Sequence, residues 1–368
     1  MTVHAARSVL ITGATGLLGR SVLTRLLSAD SRLRAFVLVR DIGRWSCAAT
    51  ELTGGTRVLA VQGDLCAAGL GLAPDVRATI SRDATAIVHL AADTTFSSPL
   101  DRARAVNTLG TQRVLELASD CESPVRVAFV STAFVAGRRT GVVAEDAGSP
   151  AAGWVNAYEQ SKYEAEQLVR EQACNWVIAR PSTVVCDDLD GQVSQVNAVH
   201  RALHLYRRGL VAMMPGVAGS TVDAITTSYV ADGIARLALR DDAAGKTVHL
   251  CAGAGALPLD ELLDVTYERW ATDRAWRKRG VVRPAITDLA TYALFERTID
   301  DVGDASLKRI TRALAHFVPQ LALPKCFDTT NADKLLGHAA PPVRDFWRQM
   351  LDHMVAARGA VRPLARVA

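Results

Sequence analysis

Tyr158 and Lys162 stand four residues apart in Tyr-Glu-Gln-Ser-Lys, a spacing that brings both side chains to one face of a helix. An ammonium beside a phenol favours the phenolate. The pair therefore predicts a tyrosine pKa drawn down toward neutrality and a hydroxyl able to give or take a proton. Thr132 closes the run Phe129-Val-Ser-Thr, and its hydroxyl can share with Tyr158 the stabilisation of an oxyanion forming on a carbonyl. Lys162 can also hold ribose hydroxyls. Such a trio suits carbonyl reduction by hydride, provided that a hydride donor lies beside it. Tyrosine and lysine share many exposed helix faces to no purpose, so the pair needs support from elsewhere in the chain.

That support begins at Leu10-Ile-Thr-Gly13-Ala-Thr-Gly16-Leu-Leu-Gly19-Arg20, where three glycines follow a strand and open a helix. Gly13 permits a tight turn, Gly16 lets backbone approach a pyrophosphate, and Gly19 lets the helix lie close on a sheet. Thr15, Leu17, Leu18 and Arg20 flank these glycines at a helix N-terminus, whose free N–H groups and positive dipole end suit phosphate. The expected cofactor is thus a nicotinamide dinucleotide. The next apolar run, Ala35-Phe-Val-Leu-Val, ends in Arg40, where an NAD-selective site would carry an acidic residue. A planar guanidinium matches a 2′-phosphate, with Arg20 and Arg44 as possible helpers, so NADP(H) is expected although Asp41 adjoins. Gln62-Gly-Asp64-Leu65 would place Asp64 on the adenine amino group with Leu65 beside it. His89-Leu-Ala91-Ala92 would set small residues against the adenine ribose. His89 itself reads as a satisfied core histidine, and Asn107 as an early residue of the following helix that ties it to the strand carrying Ala91.

Positioning these groups takes a particular set of elements. Short β-rich runs at Ser8 to Thr12, Arg34 to Val39, Arg57 to Val61, Ala86 to Leu90, Val125 to Ser131, Trp176 to Ala179 and Thr247 to Leu250 predict strands. Between them, Leu17 to Leu27, Leu100 to Ala118 and Asn156 to Glu171 carry helical patterns. This alternation predicts an α/β fold, a Rossmann-like doubly wound parallel sheet. It would occupy residues 1–186 with return segments near 221–251, leaving 187–220 and 252–368 for a smaller, mostly helical C-terminal substrate-binding lobe. In that lobe Val199 to Leu210 looks helical, and Asp345 to Ala357, with Phe346, Met350 and Met354 at helical spacing, reads as a packed core helix.

Composition agrees. Hydrophobic residues make up 49% and charged residues 22% of 368, as in an ordinary soluble enzyme. The net charge of +4 is too small and too dispersed to argue for nucleic acid. Two basic clusters, Arg207-Arg208 and Arg274 to Arg283, read first as solvated faces. The seven cysteines lie singly at 47, 66, 121, 174, 186, 251 and 326, without metal-ligand spacing, which suits a reducing cytoplasm and no bound metal. No apolar run is long enough to predict stable membrane insertion.

Gly13 to Gly19, Asp64, His89 to Ala92, Thr132, Tyr158 and Lys162, taken together, resemble the extended short-chain dehydrogenase/reductase family. Leu38-Val-Arg40, Gly63-Asp-Leu65 with Gly69-Leu-Gly-Leu-Ala73, Phe96 to Asn107 and Val130-Ser-Thr-Ala133 are similar to its thioester reductase-like branch. That branch includes fatty acyl-CoA reductases and the reductase domains of carboxylic acid reductases and peptide synthetases. Arg180-Pro181-Ser182 and Gly245 to Gly253 extend the likeness over roughly residues 8 to 253, with a trace around Phe327-Asp328 and Leu335-Leu-Gly337.

The resemblance implies that Pro181 and Ser182 join the cofactor site. It implies as substrate an acyl thioester on coenzyme A or on the phosphopantetheine arm of an acyl or peptidyl carrier protein, reduced by NADPH to aldehyde, and to alcohol by a second hydride. The chain departs from the branch in a short segment after Arg40 and in Thr226-Thr227, where relatives carry proline, and both departures bear on the acyl pocket. It shows no carrier serine motif or adenylation segment, so the substrate is expected to be made elsewhere. A ketone or aldehyde reductase would use the same trio. Arg40 disfavours a sugar-nucleotide epimerase, and the complete trio disfavours a protein that binds NADP(H) without chemistry.

Overall fold

A computed structural model describes residues 7–43, 45, 55–146, 148, 150–172, 175–187, 190–217, 219–303, 308 and 318–356. They form two compact units. The first comprises Met1–Ser182, Thr227–Cys251 and Phe327–Ala339, and the second Thr183–Thr226, Ala252–Cys326 and Ala340–Ala368.

The first unit is built on seven strands, β1 (Ser8–Thr12), β2 (Arg34–Val39), β3 (Val58–Gln62), β4 (Ala84–His89), β5 (Arg126–Val130), β6 (Asn175–Pro181) and β7 (Lys246–Leu250). Their order across the sheet is β7-β6-β5-β4-β1-β2-β3, and every pairing is parallel. Parallel strands need crossovers, and helices on both faces bury them completely, which is why β1 and β5 are buried at every residue. Around the sheet run α1 (Leu17–Ala29), α2 (Pro74–Asp83), α3 (Leu100–Asn107), α4 (Leu109–Ser119), α5 (Ala157–Arg170), α6 (Thr227–Leu239) and α7 (Thr330–Leu336). On one face Leu10, Ile87, Phe129 and Ile178 meet Val114 and Leu117 of α4 and Ala165 and Val169 of α5. On the other, α1 and α6 pack on each other, and α6 runs along β4 to β7.

Each strand expected from sequence is present to within about two residues. The helix expected over Leu100 to Ala118 is instead broken at Thr108. Asn107 is thus the last residue of α3, not an early residue of one long helix. The polar pair at the break turns inward: the Thr108 hydroxyl donates to the Ser161 carbonyl at 3.1 Å, and Asn107 is almost wholly buried.

The first unit ends at Ser182, before the expected boundary at 186, because Thr183–Cys186 pairs with Ala224–Thr226 in the second. It regains Phe327–Ala339, which weak patterning had left in the lobe. A buried carboxylate holds that segment. Glu145 accepts the His249 amide at 2.8 Å and the Asn331 amide at 2.6 Å, while the Asn331 side chain donates to the Thr247 carbonyl. Burial pushes the Glu145 carboxyl up to about 7, against the pull of those amide hydrogen bonds.

The second unit combines helices at Ala198–Arg207, Leu259–Ala271, Leu289–Val302 and Val343–Ala356 with short strand pairs. Its core gathers Tyr206, Trp270, Trp276, Phe346, Trp347 and Met350. The Trp347 indole N–H donates to the Thr266 hydroxyl at 3.0 Å, so this aromatic is buried with its polar atom satisfied. Among the described residues no helix is long and apolar enough to cross a membrane, and no group of acidic, histidine and cysteine side chains could hold a metal ion.

Candidate active site

Parallel strands deliver their carboxyl ends to one edge of the sheet. Thr12 leads to Gly13, Val39 to Arg40, Gln62 to Asp64, His89 to Ala91 and Ala92, Val130 to Thr132, and Pro181 to Ser182. Topology therefore gathers residues scattered over 170 positions, with β1 and β4 adjacent where the strand order reverses.

The glycine turn after β1 is shaped by close approach. Gly13 has φ +76°, and a Cβ there would stand 2.7 Å from the Ala91 nitrogen. A Cβ on Gly19 would stand 2.1 Å from the Gly13 carbonyl oxygen, so α1 sits on the turn at a distance only glycine allows. Gly16 occupies the N-cap of α1 with no capping side chain, and the first turn holds no acidic residue. The amides around Leu17 and Leu18 are thus left available to an anion.

Thr15, Arg20 and Arg40 are exposed near this end of the sheet, while Arg44 lies outside the described residues. Asp64 is half-buried, and its Oδ1 accepts the Cys66 amide at 2.8 Å, so one carboxylate oxygen serves its own turn. Leu65 packs under Gly110; Pro181 and Ser182 are buried.

His89 takes part in a hydrogen-bond chain of fixed direction. The Thr111 hydroxyl donates to the Asn107 carbonyl at 2.6 Å, so it must accept from His89 Nε2 at 3.0 Å. His89 Nδ1 then accepts the Thr12 hydroxyl at 2.6 Å, and Thr12 in turn accepts the Ala91 amide at 3.2 Å. Burial, with Lys162 adding to it, holds this imidazole down to about 3. His89 is a neutral tie between the glycine turn and the backbone at Ala91.

Helix α5 supplies the tyrosine and lysine. Asn156 caps it by accepting the Glu159 amide at 3.0 Å, and Glu159 folds back to accept the Val155 amide at 2.9 Å. Tyr158, Ser161, Lys162, Ala165, Glu166 and Val169 then fall on the buried face. Thr132 caps the short helical turn Ala133–Ala136, its hydroxyl accepting the Phe134 amide at 3.3 Å and lying near enough to the Tyr158 phenol to act on it, and the Phe96 ring stacks on the phenol ring at 5.5 Å. Lys162 Nζ donates to the Val130 carbonyl at 2.7 Å and lies 4.0 Å from the centre of the Phe129 ring. The sequence-predicted trio is therefore brought together.

Its electrostatics differ from expectation. Burial pushes the Tyr158 phenol up to about 12, although the nearby Thr132 hydroxyl pulls the other way. The lysine does not draw it down: burial lowers Lys162 itself to about 7, and its ammonium is engaged by Val130. Glu166, one turn further along α5, raises the Lys162 value in part. Burial alone would raise the Glu166 carboxyl, but Arg180, bonded to both its oxygens at 2.8 and 2.6 Å, acts with Ser131 and Arg170 to hold it below the usual range.

Two supports of this site, and part of a third, were not legible in the sequence. Phe96 was legible only as the one apolar residue in a polar loop. Glu166, at i+4 from Lys162, carried the same helical spacing that had singled out the lysine. Asn107 was noticed, but its Nδ2 also donates to the Ser161 hydroxyl at 2.9 Å, which donates to the Tyr158 carbonyl at 3.0 Å.

Residues 11–234 match the family described as male sterility protein, an NAD-binding family. The chain is 27% identical over 328 residues to the highly reducing polyketide synthase calA of Penicillium decumbens, covering 84% of this chain but 11% of that much longer protein. It is 28% identical over 144 residues to the fatty acyl-CoA reductase wat of Drosophila melanogaster, covering 35% of this chain and 28% of that one. The chain thus spans well under two thirds of these relatives. The fold is similar to the crystal structure of the terminal R domain from the myxalamid PKS-NRPS biosynthetic pathway. There the TM-score is 0.78 at 25% identity, covering 99% of this chain and 94% of that one.

Proposed function

Since the chain belongs to the male sterility protein family, nicotinamide-dependent oxidoreductases of extended short-chain dehydrogenase/reductase type and thioester reductase-like branch, we propose that it reduces an acyl thioester to an aldehyde with NADPH. The observation that carries the reading is the buried trio: Tyr158 and Lys162 one turn apart on the buried face of one helix, with Thr132 buried just past the end of β5. Likeness to a terminal R domain over nearly the whole chain supports a thioester in place of a simple ketone. The acyl group would arrive on the phosphopantetheine arm of a carrier protein or on coenzyme A, and the second unit would bind it. Cysteines scattered singly along the sequence suit work in a reducing cytoplasm.

The residues present fit the cofactor. The uncapped start of α1, with Gly13, Thr15, Gly16, Leu17 and Leu18, would hold the pyrophosphate. Arg40, helped by Arg20, would pair with a 2′-phosphate, and Asp64, Leu65, Ala91 and Ala92 would frame the adenosine. Pro181, Ser182, Tyr158 and Lys162 would border the nicotinamide half. When bound, NADPH supplies hydride to the carbonyl carbon.

Thr132 and Tyr158 would donate hydrogen bonds to the carbonyl oxygen as negative charge gathers on it. A phenol pushed up to about 12 stays protonated across the working range, so Tyr158 acts as donor and acid. As the tetrahedral species collapses, the C–S bond breaks and the thiolate takes a proton by way of Tyr158. Aldehyde and thiol leave after one two-electron step; an alcohol would need a second hydride.

The test follows oxidation of NADPH and NADH side by side with one acyl group presented as carrier thioester, CoA thioester, aldehyde and ketone. Thioester turnover with NADPH preferred is expected. Tyr158→Phe should lower kcat about 10²- to 10⁴-fold. Activity on ketones alone would reject the thioester, and unchanged turnover by Tyr158→Phe would reject the mechanism.

A further inference from the structure

The two basic clusters, far apart in sequence, meet in the second unit. The Trp276 indole N–H donates to the Arg207 carbonyl at 2.9 Å, and the Arg279 guanidinium donates to the same oxygen at 3.2 Å. The platform beneath them is rigid. Trp276 is 2% exposed and meets Tyr206, Tyr267 and Trp270 edge to face. Asp273 caps the short helix Arg274–Arg277 by accepting the Ala275 and Trp276 amides. From this platform Arg208, Arg274, Arg277, Lys278 and Arg279 reach solvent.

Among the described residues, two carboxylates near them are already engaged. Asp273 is engaged as a cap and lies 3.9 Å from Arg207, and Asp264 is paired with Arg283. The field is felt nearby: burial first, then Arg208 and Arg207, holds the His204 imidazole below its ordinary value. Gathered like charges repel one another and gain most from an opposed surface of opposite sign. Val282 adds an apolar element, 66% exposed at the end of the cluster, while Val281 packs beside Gly209. Arginine around exposed apolar area is the composition of a protein interface, whereas a phosphate backbone would call for cations alone.

We propose that this basic face docks an acidic protein surface, and that its partner is the carrier domain that delivers the thioester. The proposal rests on the thioester reading of the catalytic site. It makes capture of the acyl donor depend on cations that take no part in the chemistry.

The test uses the full chain and the triple charge reversal Arg208→Glu, Arg277→Glu, Lys278→Glu. An octanoyl group is presented on an acidic carrier domain, on free pantetheine and on coenzyme A. The variant should lose about 10- to 100-fold in kcat/KM on the carrier with kcat little changed. It should match the wild type on octanoyl-pantetheine, which reports an intact catalytic site. A neutral triple variant with glutamine at the same positions should lose less, and wild-type kcat/KM on the carrier should fall with salt while that on pantetheine does not. Equal loss on carrier and pantetheine substrates, no loss on either, or loss on CoA alone would each overturn the docking assignment. Failure of the wild type to turn over any thioester would instead overturn the reading on which it rests.

Discussion

Burial draws the Lys162 ammonium down to about 7, so near neutrality this side chain is divided between charged and neutral forms. The charged form is the one that can hold ribose hydroxyls and favour negative charge on the reacting oxygen. In the free enzyme kcat/KM should therefore fall as pH rises through about 7, with no second limb from Tyr158 below about 12. Glu166 raises the lysine value, so Glu166→Gln should move that limb to lower pH by about one unit. A profile of kcat/KM against pH on both proteins, with Tm recorded to confirm folding, reads the shift; a limb that stays put or moves upward would sink the assignment. Helical spacing in the sequence placed Tyr158 and Lys162 together but pointed the wrong way on the phenol, because its protonation depends on how completely water is excluded by neighbours such as Phe96 and Phe129.

At the scale of elements, Asn107 joins three segments. Its Oδ1 accepts the Asp93 amide at 2.8 Å, and its Nδ2 donates to the Asp93 carbonyl at 3.0 Å and to Ser161 of α5. The loop after β4 is stiffened further where Asp93 accepts from the Thr95 amide and the Ser98 hydroxyl, and that loop presents Phe96 to Tyr158. Asn107→Ala would leave buried donors and acceptors without partners. It should cost about 2–4 kcal/mol in urea denaturation and lower kcat more than it raises KM. A variant of wild-type stability would show that the joint is dispensable.

These strands and their order of appearance were legible because apolar runs alternate with helical periods and because each run ends in a residue with a chemical reason to be there. The break between α3 and α4 was not. Asn107 and Thr108 interrupt no hydrophobic period, and the side-chain bonds they make at the break run to Asp93 and Ser161, which the local pattern does not bring near.

Across the whole molecule, the first unit is assembled from three separate stretches of chain, and Glu145 helps to fasten the last. Its folded pKa of about 7 lies above the ordinary carboxyl value of roughly 4.3. Between those values the folded chain holds a proton that the unfolded chain has released, so stability from this group falls as pH rises from about 4 to 7. The Tm advantage of the wild type over Glu145→Gln should accordingly shrink between pH 5 and pH 8 in thermal scans. An advantage that widens with pH would reverse the sign and refute the assignment. Beyond a trace of family likeness at Phe327-Asp328 and Leu335-Leu-Gly337, the segment could not be placed from the sequence, because α7 has only seven residues and is held in part through backbone amides, which leave no side-chain pattern.

That same fastening has a temporal meaning. Glu145 and its partner Asn331 are separated by 186 residues, so a ribosome adding roughly 5–20 residues per second completes the second about 10–40 s after the first. During that interval the catalytic helix and the last two strands are added to a chain that already holds the glycine turn, and the closing segment comes after all of them. The first unit can take its finished form only once the segment around Asn331 has been added, and a chain interrupted earlier would expose an unfinished sheet to chaperones and proteases.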